Sequence, residues 1–436
     1  MKSIRIKYLF CLLGMVTCAI PGFAQKLGLN DAINIALKNS LDIQVSKNNV
    51  AISNTNNSYG IAGGLPLVTG TASDNESVTD VNQKLNTGEI IKRNGASSNT
   101  LSANLTGSVL LYNGMRVVTT KKRLNQLVQQ SEELLNSQVQ NTMASVMTAY
   151  FDIVRQQGYA KTIVVSIDAA QKKLDIIKTQ QSVGLANNAD LYQAQVDLNA
   201  LLQAQQSQQL IIDQAKAELM RVMGTKPDSI VHIQDTILVD RNVTLDTVLN
   251  TIHRNADILA AIDQVRINEL IEKETTAARY PSVRASAGYN YNRNQVGAGN
   301  VLLNRSQGPF VNLGLTVPIY NGSIYKRQQK VAELNTKNAE LQRDILVRDY
   351  SASVVKNFQA YQSTLKQLET QQRTYELAQQ LLDLVVQRFQ LRQATIVDMT
   401  LAQQSFENAA YSLVNLSYAA KAAEIELKRL ANQLSL

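Results

Sequence analysis

This chain has no tryptophan, two histidines and two cysteines among 436 residues. Both cysteines, Cys11 and Cys18, precede Ala24, so everything after that point lacks a thiol, a disulfide and a cysteine metal site. Met15-Val16-Thr17 before Cys18 is a poor match to the small-residue pattern that precedes a lipidated cysteine. His232 and His253 do not stand in a metal-ligand spacing and read as surface or helix-end residues. Nucleophile elbow, phosphate loop and EF-hand patterns are all missing, and acid pairs such as Glu132-Glu133 fit solvated helix faces. An enzyme is therefore not expected, nor a cofactor or a resident metal.

Long apolar runs are scarce too. Lys2, Arg5 and Lys7 precede an apolar run from Tyr8 to Ile20 and then Pro21-Gly22-Phe23-Ala24, the order of a cleavable export signal over residues 1–24. That run falls short of the roughly 20 residues a membrane-spanning helix needs, and beyond it no stretch of about 18 apolar residues occurs. Losing the signal takes three positive charges from +8 and leaves +5. The remaining charge is scattered, with no basic stripe interleaved with aromatics, so nucleic acid is not an expected partner.

Glycine and proline number 20 and 6, yet neither occurs from Ser323 to Leu436. Such a run of Gln, Ala, Leu and Lys predicts very long helix. One interruption stands out, the β-branched Arg392-Gln393-Ala394-Thr395-Ile396-Val397-Asp398, where the helix is expected to turn back although no glycine is present.

What the chain does contain, it contains twice. Leu29-Asn30-Asp31-Ala32-Ile33 is matched by Leu245-Asp246-Thr247-Val248-Leu249, Leu65-Pro66 by Tyr280-Pro281, and Tyr112-Asn113-Gly114 by Tyr320-Asn321-Gly322. Gly184 to Gln195 is echoed by Arg392 to Gln403, with an acid in each (Asp190, Asp398) and the same closing Ala-Gln. The last two correspondences share one spacing, 208 positions (112 to 320, 184 to 392), which predicts helices of equal length in two duplicated units. The first repeat is placed at 25–224, a linker at 225–244 and the second repeat at 245–436.

Each repeat reads as helix, two strands, a very long helix, a turn and a long helix. First helices are expected over Leu29 to Asn57 and Leu245 to Ala278. Long helices should run from Met115 to Ser182, interrupted only by Gly158, and from Ser323 to Leu391, each roughly 100 Å at 1.5 Å per residue. Along the second, Phe358, Leu365 and Val386 mark one heptad position and Tyr361, Leu368, Tyr375, Leu382 and Phe389 the other. That pattern fits either a coiled coil with polar layers at Gln372 and Gln379 or a helix packed on neighbours along one side with water on another.

The short segments alternate with period two. Strands are expected at about 65–73, 101–112, 281–292 and 308–319, for example Leu101, Ala103, Leu105, Gly107, Val109 and Leu111 against Ser102, Asn104, Thr106 and Ser108. Length and alternation suit outer-membrane barrel strands, although soluble sandwich strands also alternate. The export signal and the polar stretches Asp74 to Thr100 and Arg293 to Gln307, expected as exposed loops, favour the former. Four strands cannot close a barrel, so several chains are expected to pool theirs. A periplasmic or surface coiled-coil structural protein, the alternative, would have no use for these strands.

The duplicated order, Val183-Gly184-Leu185 with Asp190 and Ala194-Gln195, and Thr395-Ile396-Val397-Asp398 resemble the TolC-like outer-membrane efflux proteins over nearly the whole chain after the signal. The resemblance implies a mixed fold: a long antiparallel α-helical barrel continuous with an outer-membrane β-barrel, four strands per chain, two internal repeats, closed as a homotrimer. It also implies a location in the outer membrane among its lipids, extending into the periplasm. The implied role is the passive exit duct of a tripartite efflux or type I secretion system, joined by a periplasmic adaptor protein to an inner-membrane pump. The helix turns at about 183–189 and 391–396 would form the periplasmic tip, with Gly184 and Leu185 in the adaptor-contacting motif and Arg392 where the family has glycine. Asp398 matches an aspartate that rings the entrance and would gate cations; a second family aspartate corresponds to Leu401.

Overall fold

The computed structural model describes residues 27–227 and 231–435. The signal over residues 1–24, with Cys11 and Cys18, lies outside the described residues. The described elements are α1 (Leu29–Asn39), α2 (Leu41–Asn56), β1 (Leu67–Lys84), β2 (Ile90–Asn113), α3 (Arg116–Ser182), α4 (Asn188–Met223), α5 (Leu245–Thr251), α6 (Ala256–Ala277), β3 (Ser282–Val296), β4 (Leu303–Thr316), α7 (Ile324–Gln390) and α8 (Ile396–Leu430). The fold is thus mostly helical with one antiparallel sheet in the order β1-β2-β3-β4. Both α3 and α7 are 67 residues long, and α4 and α8 are 36 and 35.

The first helix differs from the expectation. Ser40 takes an extended ψ of 124° between α1 and α2, and its hydroxyl accepts the Ile43 N–H at 3.5 Å. Its counterpart breaks as well, through a short 3-10 turn, Ile252–Arg254, and Asn255 at ψ 131°, whose side chain donates to the Leu430 carbonyl at 3.1 Å. Ser and Asn side chains compete for backbone partners, so they favour caps over helix interiors.

The chain forms two compact units. One takes in residues up to Val45, Asn136–Asn255 and Arg348 onward. Its main core gathers Ile33, Val146, Tyr150, Ile153, Leu219, Met220, Met223 and Ile425 from four helices. The linker, as far as it is described, is strapped over these helices. Gln157 Nε2 of α3 donates to the Ile233 carbonyl at 3.0 Å, and the Asp240 N–H donates to buried Glu424 of α8 at 2.9 Å. Lys428 of α8 reaches the Asp240 carboxylate at 3.0 Å, and the Tyr361 hydroxyl of α7 donates to the Asp240 carbonyl. Tyr361, Leu382 and Phe389 are buried, so one of the two heptad positions of α7 faces the core, while Leu377, Leu381 and Leu384 form an exposed stripe on the same helix. Within one chain α7 is thus packed along one side only.

The other unit, Ser46–Leu135 with Ala256–Val347, carries the sheet. Its helices are knit by polar contacts, Gln126 to Asp263 at 2.8 Å and Arg123 to Glu274 at 2.7 Å, around small buried residues such as Ala260, Ala332 and Ala339. The strands are longer than expected at 18, 24, 15 and 14 residues, and most of Asp74 to Thr100 and Arg293 to Gln307 is strand rather than loop. Ser, Thr and Asn occupy both faces there, so the hydrophobic alternation disappears while the cross-strand ladder continues. At the other end β4 stops at Thr316, so Val317 and Ile319 lie off the strand. Pro318, which has no N–H to give a ladder, is between them.

Register assigns the two faces. Val68, Gly107, Ala287 and Val311 share one cross-strand row; Gly70, Leu105, Tyr289 and Pro309 the next; Ala72, Ala103, Tyr291 and Gln307 a third. Rows on the opposite face read Thr71, Asn104, Asn290, Gly308 and Ser73, Ser102, Asn292, Ser306. One face is therefore an apolar band, and the other is mostly small and polar, with Phe310 and Arg284 among its large exceptions.

Candidate functional site

Two helical hairpin ends, α3 into α4 and α7 into α8, carry every site residue expected from the sequence. The first closes with Gly184 at φ 76°, its N–H donating to the Gln181 carbonyl at 2.9 Å while the Leu185 N–H donates to the Gln180 carbonyl at 2.8 Å. The second repeats this 208 positions on: Arg392 at φ 60° donates to Phe389 at 3.2 Å, and Gln393 to Arg388 at 2.8 Å. These paired bonds satisfy the last carbonyls of each helix and require a left-handed residue in the middle. Arg392 adopts the backbone conformation that glycine supplies at the first turn, and Arg388 Nη2 adds a bond to the Gln393 carbonyl at 3.0 Å.

The following helices begin alike. The Asn187 side chain accepts the Asp190 N–H at 2.8 Å, and the Thr395 hydroxyl accepts the Asp398 N–H at 3.2 Å. Asp398 returns the contact: its Oδ2 accepts the Thr395 N–H and hydroxyl, each at 2.8 Å. This closed capping box explains why Thr and Asp stand three apart where α8 starts. The same bonds, from the Thr395 backbone first and its hydroxyl second, hold the exposed Asp398 carboxyl below its ordinary value. A negative charge there also faces the positive end of the helix dipole.

Beneath the turns Leu174, Ile177, Ala194 and Phe389 form one core, with Ala186 and Ala394 from the two turns packed against it. Lys173 of α3, 1% exposed, reaches Asp197 Oδ2 of α4 at 2.6 Å and braces the first hairpin. Above this core Val183, Leu185, Tyr192 and Val196 are exposed at one turn, and Leu391, Val397 and Leu401 at the other. The arrangement is a pair of capped helix ends with apolar side chains exposed to water.

The sequence named Gly184, Leu185, Arg392 and Asp398 but gave no capping role to Asn187 and Thr395 and no sign that an apolar rim would be exposed. It also missed a polar cavity of about 1000 Å³ in the same unit. Three acid-arginine pairs spaced i,i+3 border it, Asp152–Arg155, Glu218–Arg221 and Glu426–Arg429. The recurrence of that spacing was a visible signal, but on separate helices nothing local says that they converge.

Residues 32–225 and 249–433 match the family described as outer membrane efflux protein. Among curated relatives, the outer membrane protein TolC of Escherichia coli is 22% identical over 350 residues, 74% of this chain and 68% of the relative. The outer membrane efflux protein BepC of Brucella suis is 19% identical over 394 residues, 89% of this chain and 82% of the relative. The CmeC outer membrane channel of Campylobacter jejuni superposes with a TM-score of 0.78 at 16% identity, covering 93% of this chain and 85% of that structure.

Proposed function

This chain belongs to the outer membrane efflux protein family, and from that membership together with the sheet we infer that it is the outer-membrane exit channel of a tripartite efflux or type I secretion system. It resides in the outer membrane and extends into the periplasm. It catalyses nothing, and transport is driven from elsewhere.

The observation that carries this reading is the four-stranded sheet with one apolar face, one polar face and unpaired edges at β1 and β4. Open edges are not tolerated in hydrocarbon, so the β4 edge of one chain must meet the β1 edge of another. Three chains closing in this way form a homotrimer with a single barrel and its small polar side chains as lumen. From the Val283 row to the Tyr291 row is about 27 Å along the strand, or ~20 Å of height at a typical tilt, close to the apolar band of such barrels. Exposed stripes on α7, with Val331, Leu334, Leu341 and Ile345 in one unit and Leu377, Leu381 and Leu384 in the other, suit helix packing between the three chains. The duplicated spacing, with repeats at 25–224 and 245–436 around the linker 225–244, supports a helical barrel built from alternating repeats.

The hairpin ends are the periplasmic tip. Val183, Leu185, Leu391 and Val397 receive a periplasmic adaptor protein, which joins the duct to an inner-membrane pump, with Gly184 and Arg392 shaping the two turns. Asp398 gates the entrance, where three symmetry-related carboxylates attract cations. Membrane fractionation tests the channel: a detergent-extracted trimer from the outer membrane is expected, and a soluble periplasmic monomer would overturn it. The gate is tested in planar bilayers with a pair of variants. Asp398→Asn removes charge and keeps an acceptor, so block by multivalent cations should weaken; Thr395→Val removes the cap hydroxyl and keeps the charge, so block should persist. Equal block in wild type and Asp398→Asn would refute the gate.

A further inference from the structure

On the apolar face, the row beyond Tyr291 reads Asp74, Leu101, Arg293, Arg305, so two arginines stand directly opposite each other on β3 and β4. Like charges in that relation repel. Neither guanidinium forms an ion pair among the described residues. Asp74, two strands away, accepts from Asn99 at 2.7 Å, Arg293 Nη2 donates to Gln295 at 2.7 Å, and the Arg305 guanidinium lies 5.3 Å from the centre of the Tyr291 ring. Tyr289 and Tyr291 close the apolar band just below, on the side of the hairpin turns rather than of the strand ends that lead into helices.

We propose that Arg293 and Arg305 bind a phosphorylated lipid headgroup of the outer leaflet. The inference rests on the sheet being a membrane barrel, which puts this row outward, at the headgroup depth that tyrosines favour. Arginine suits the task, because its planar fork offers paired donors to phosphate and is weakly hydrated. One phosphate between the two guanidiniums replaces repulsion by two charge-assisted contacts. The ring of Tyr291 already holds Arg305 in place for this. Arg284 is an internal control: it is on the polar face, toward the opposite end of β3, and touches the Ser108 hydroxyl at 3.5 Å.

The test uses the full-length protein extracted from outer membranes, with retained lipid measured by native mass spectrometry after exchange into mixtures with lipid A, its dephosphorylated form or an uncharged galactolipid. Wild type should retain the phosphorylated lipid over either neutral one by about tenfold or more, as charge-assisted contacts allow. The double variant Arg293→Gln with Arg305→Gln should lose that preference, the double lysine variant should keep most of it, and Arg284→Gln should be unaffected. Undiminished preference in the double glutamine variant overturns the proposal, as does equal loss in Arg284→Gln. Dissociation of the glutamine variant into monomers also overturns it, by assigning the pair to the seam between chains. If wild type is absent from the outer membrane, the membrane reading itself has failed; an inserted variant with unchanged lipid preference sinks only this inference.

Discussion

Arg392 occupies a left-handed backbone position that Gly184 fills at the equivalent turn, and the two turns make the same pair of closing bonds. For a residue with a Cβ this conformation costs about 1–2 kcal/mol. Replacing it by glycine removes that cost but gives the unfolded chain more freedom, an opposing effect of about 0.4–1 kcal/mol. The Arg392→Gly substitution should therefore stabilise the closed turn by about 0.5–1 kcal/mol, or two- to fivefold in an opening equilibrium. At Gly184 the reverse applies with little added sterics, because a Cβ built there meets nothing within 4 Å. Hydrogen exchange of the Gln393 and Leu185 amides, which close the two turns, reads the effect directly. Slower exchange at Gln393 in Arg392→Gly and faster exchange at Leu185 in Gly184→Ala are expected, each by that factor. If Gln393 exchanges faster in Arg392→Gly, the arginine side chain stabilises the turn by more than its backbone strains it, and the reasoning fails.

Other perturbations follow from single contacts. Asp197→Ala leaves the buried Lys173 ammonium without its carboxylate and should cost about 3–5 kcal/mol. The double variant Lys173→Met, Asp197→Leu should recover most of this in thermal melts; a mild single effect would mean that water reaches the lysine. Gly158→Ala places a Cβ 2.9 Å from Val414 Cγ1. Overpacking of about 1–3 kcal/mol should then outweigh the ~1 kcal/mol gain in helix propensity, and adding Val414→Ala should reverse the sign of the melting shift. The lowered Asp398 pKa gives a pH dependence of definite sign. Its cap stabilises the start of α8 fully above the ordinary carboxylate value of 3.8 and is lost as pH falls through the lower folded value. Exchange protection of the Asp398 amide, corrected for intrinsic rates and compared with Asp398→Asn, should show the advantage of the acid vanish on acidification; a difference independent of pH would exclude the carboxylate as its source.

Much of the architecture was legible because its causes are local. Helix needs only an unbroken run of permissive residues, so the absence of glycine and proline after Ser323 was enough to predict α7 and α8, and equal spacing predicted equal lengths. A strand with one apolar face shows period two, and so its apolar segment was found. The polar ends of the strands were not, because a ladder of backbone hydrogen bonds leaves no mark when both faces meet water. The turn at Arg392 was located by β-branched residues that spoil a helix, yet its left-handed backbone could not be read from an arginine, since only the geometry of the reversing chain imposes it. Likewise the heptads of α7 do not say which side is covered, and three acid-arginine pairs on separate helices do not say that they border one cavity. Periodicity and composition are properties of neighbours along the chain and were settled by the sequence. Burial, convergence of distant side chains and a strained backbone angle depend on what the rest of the chain places alongside, and those were decided only by the tertiary structure.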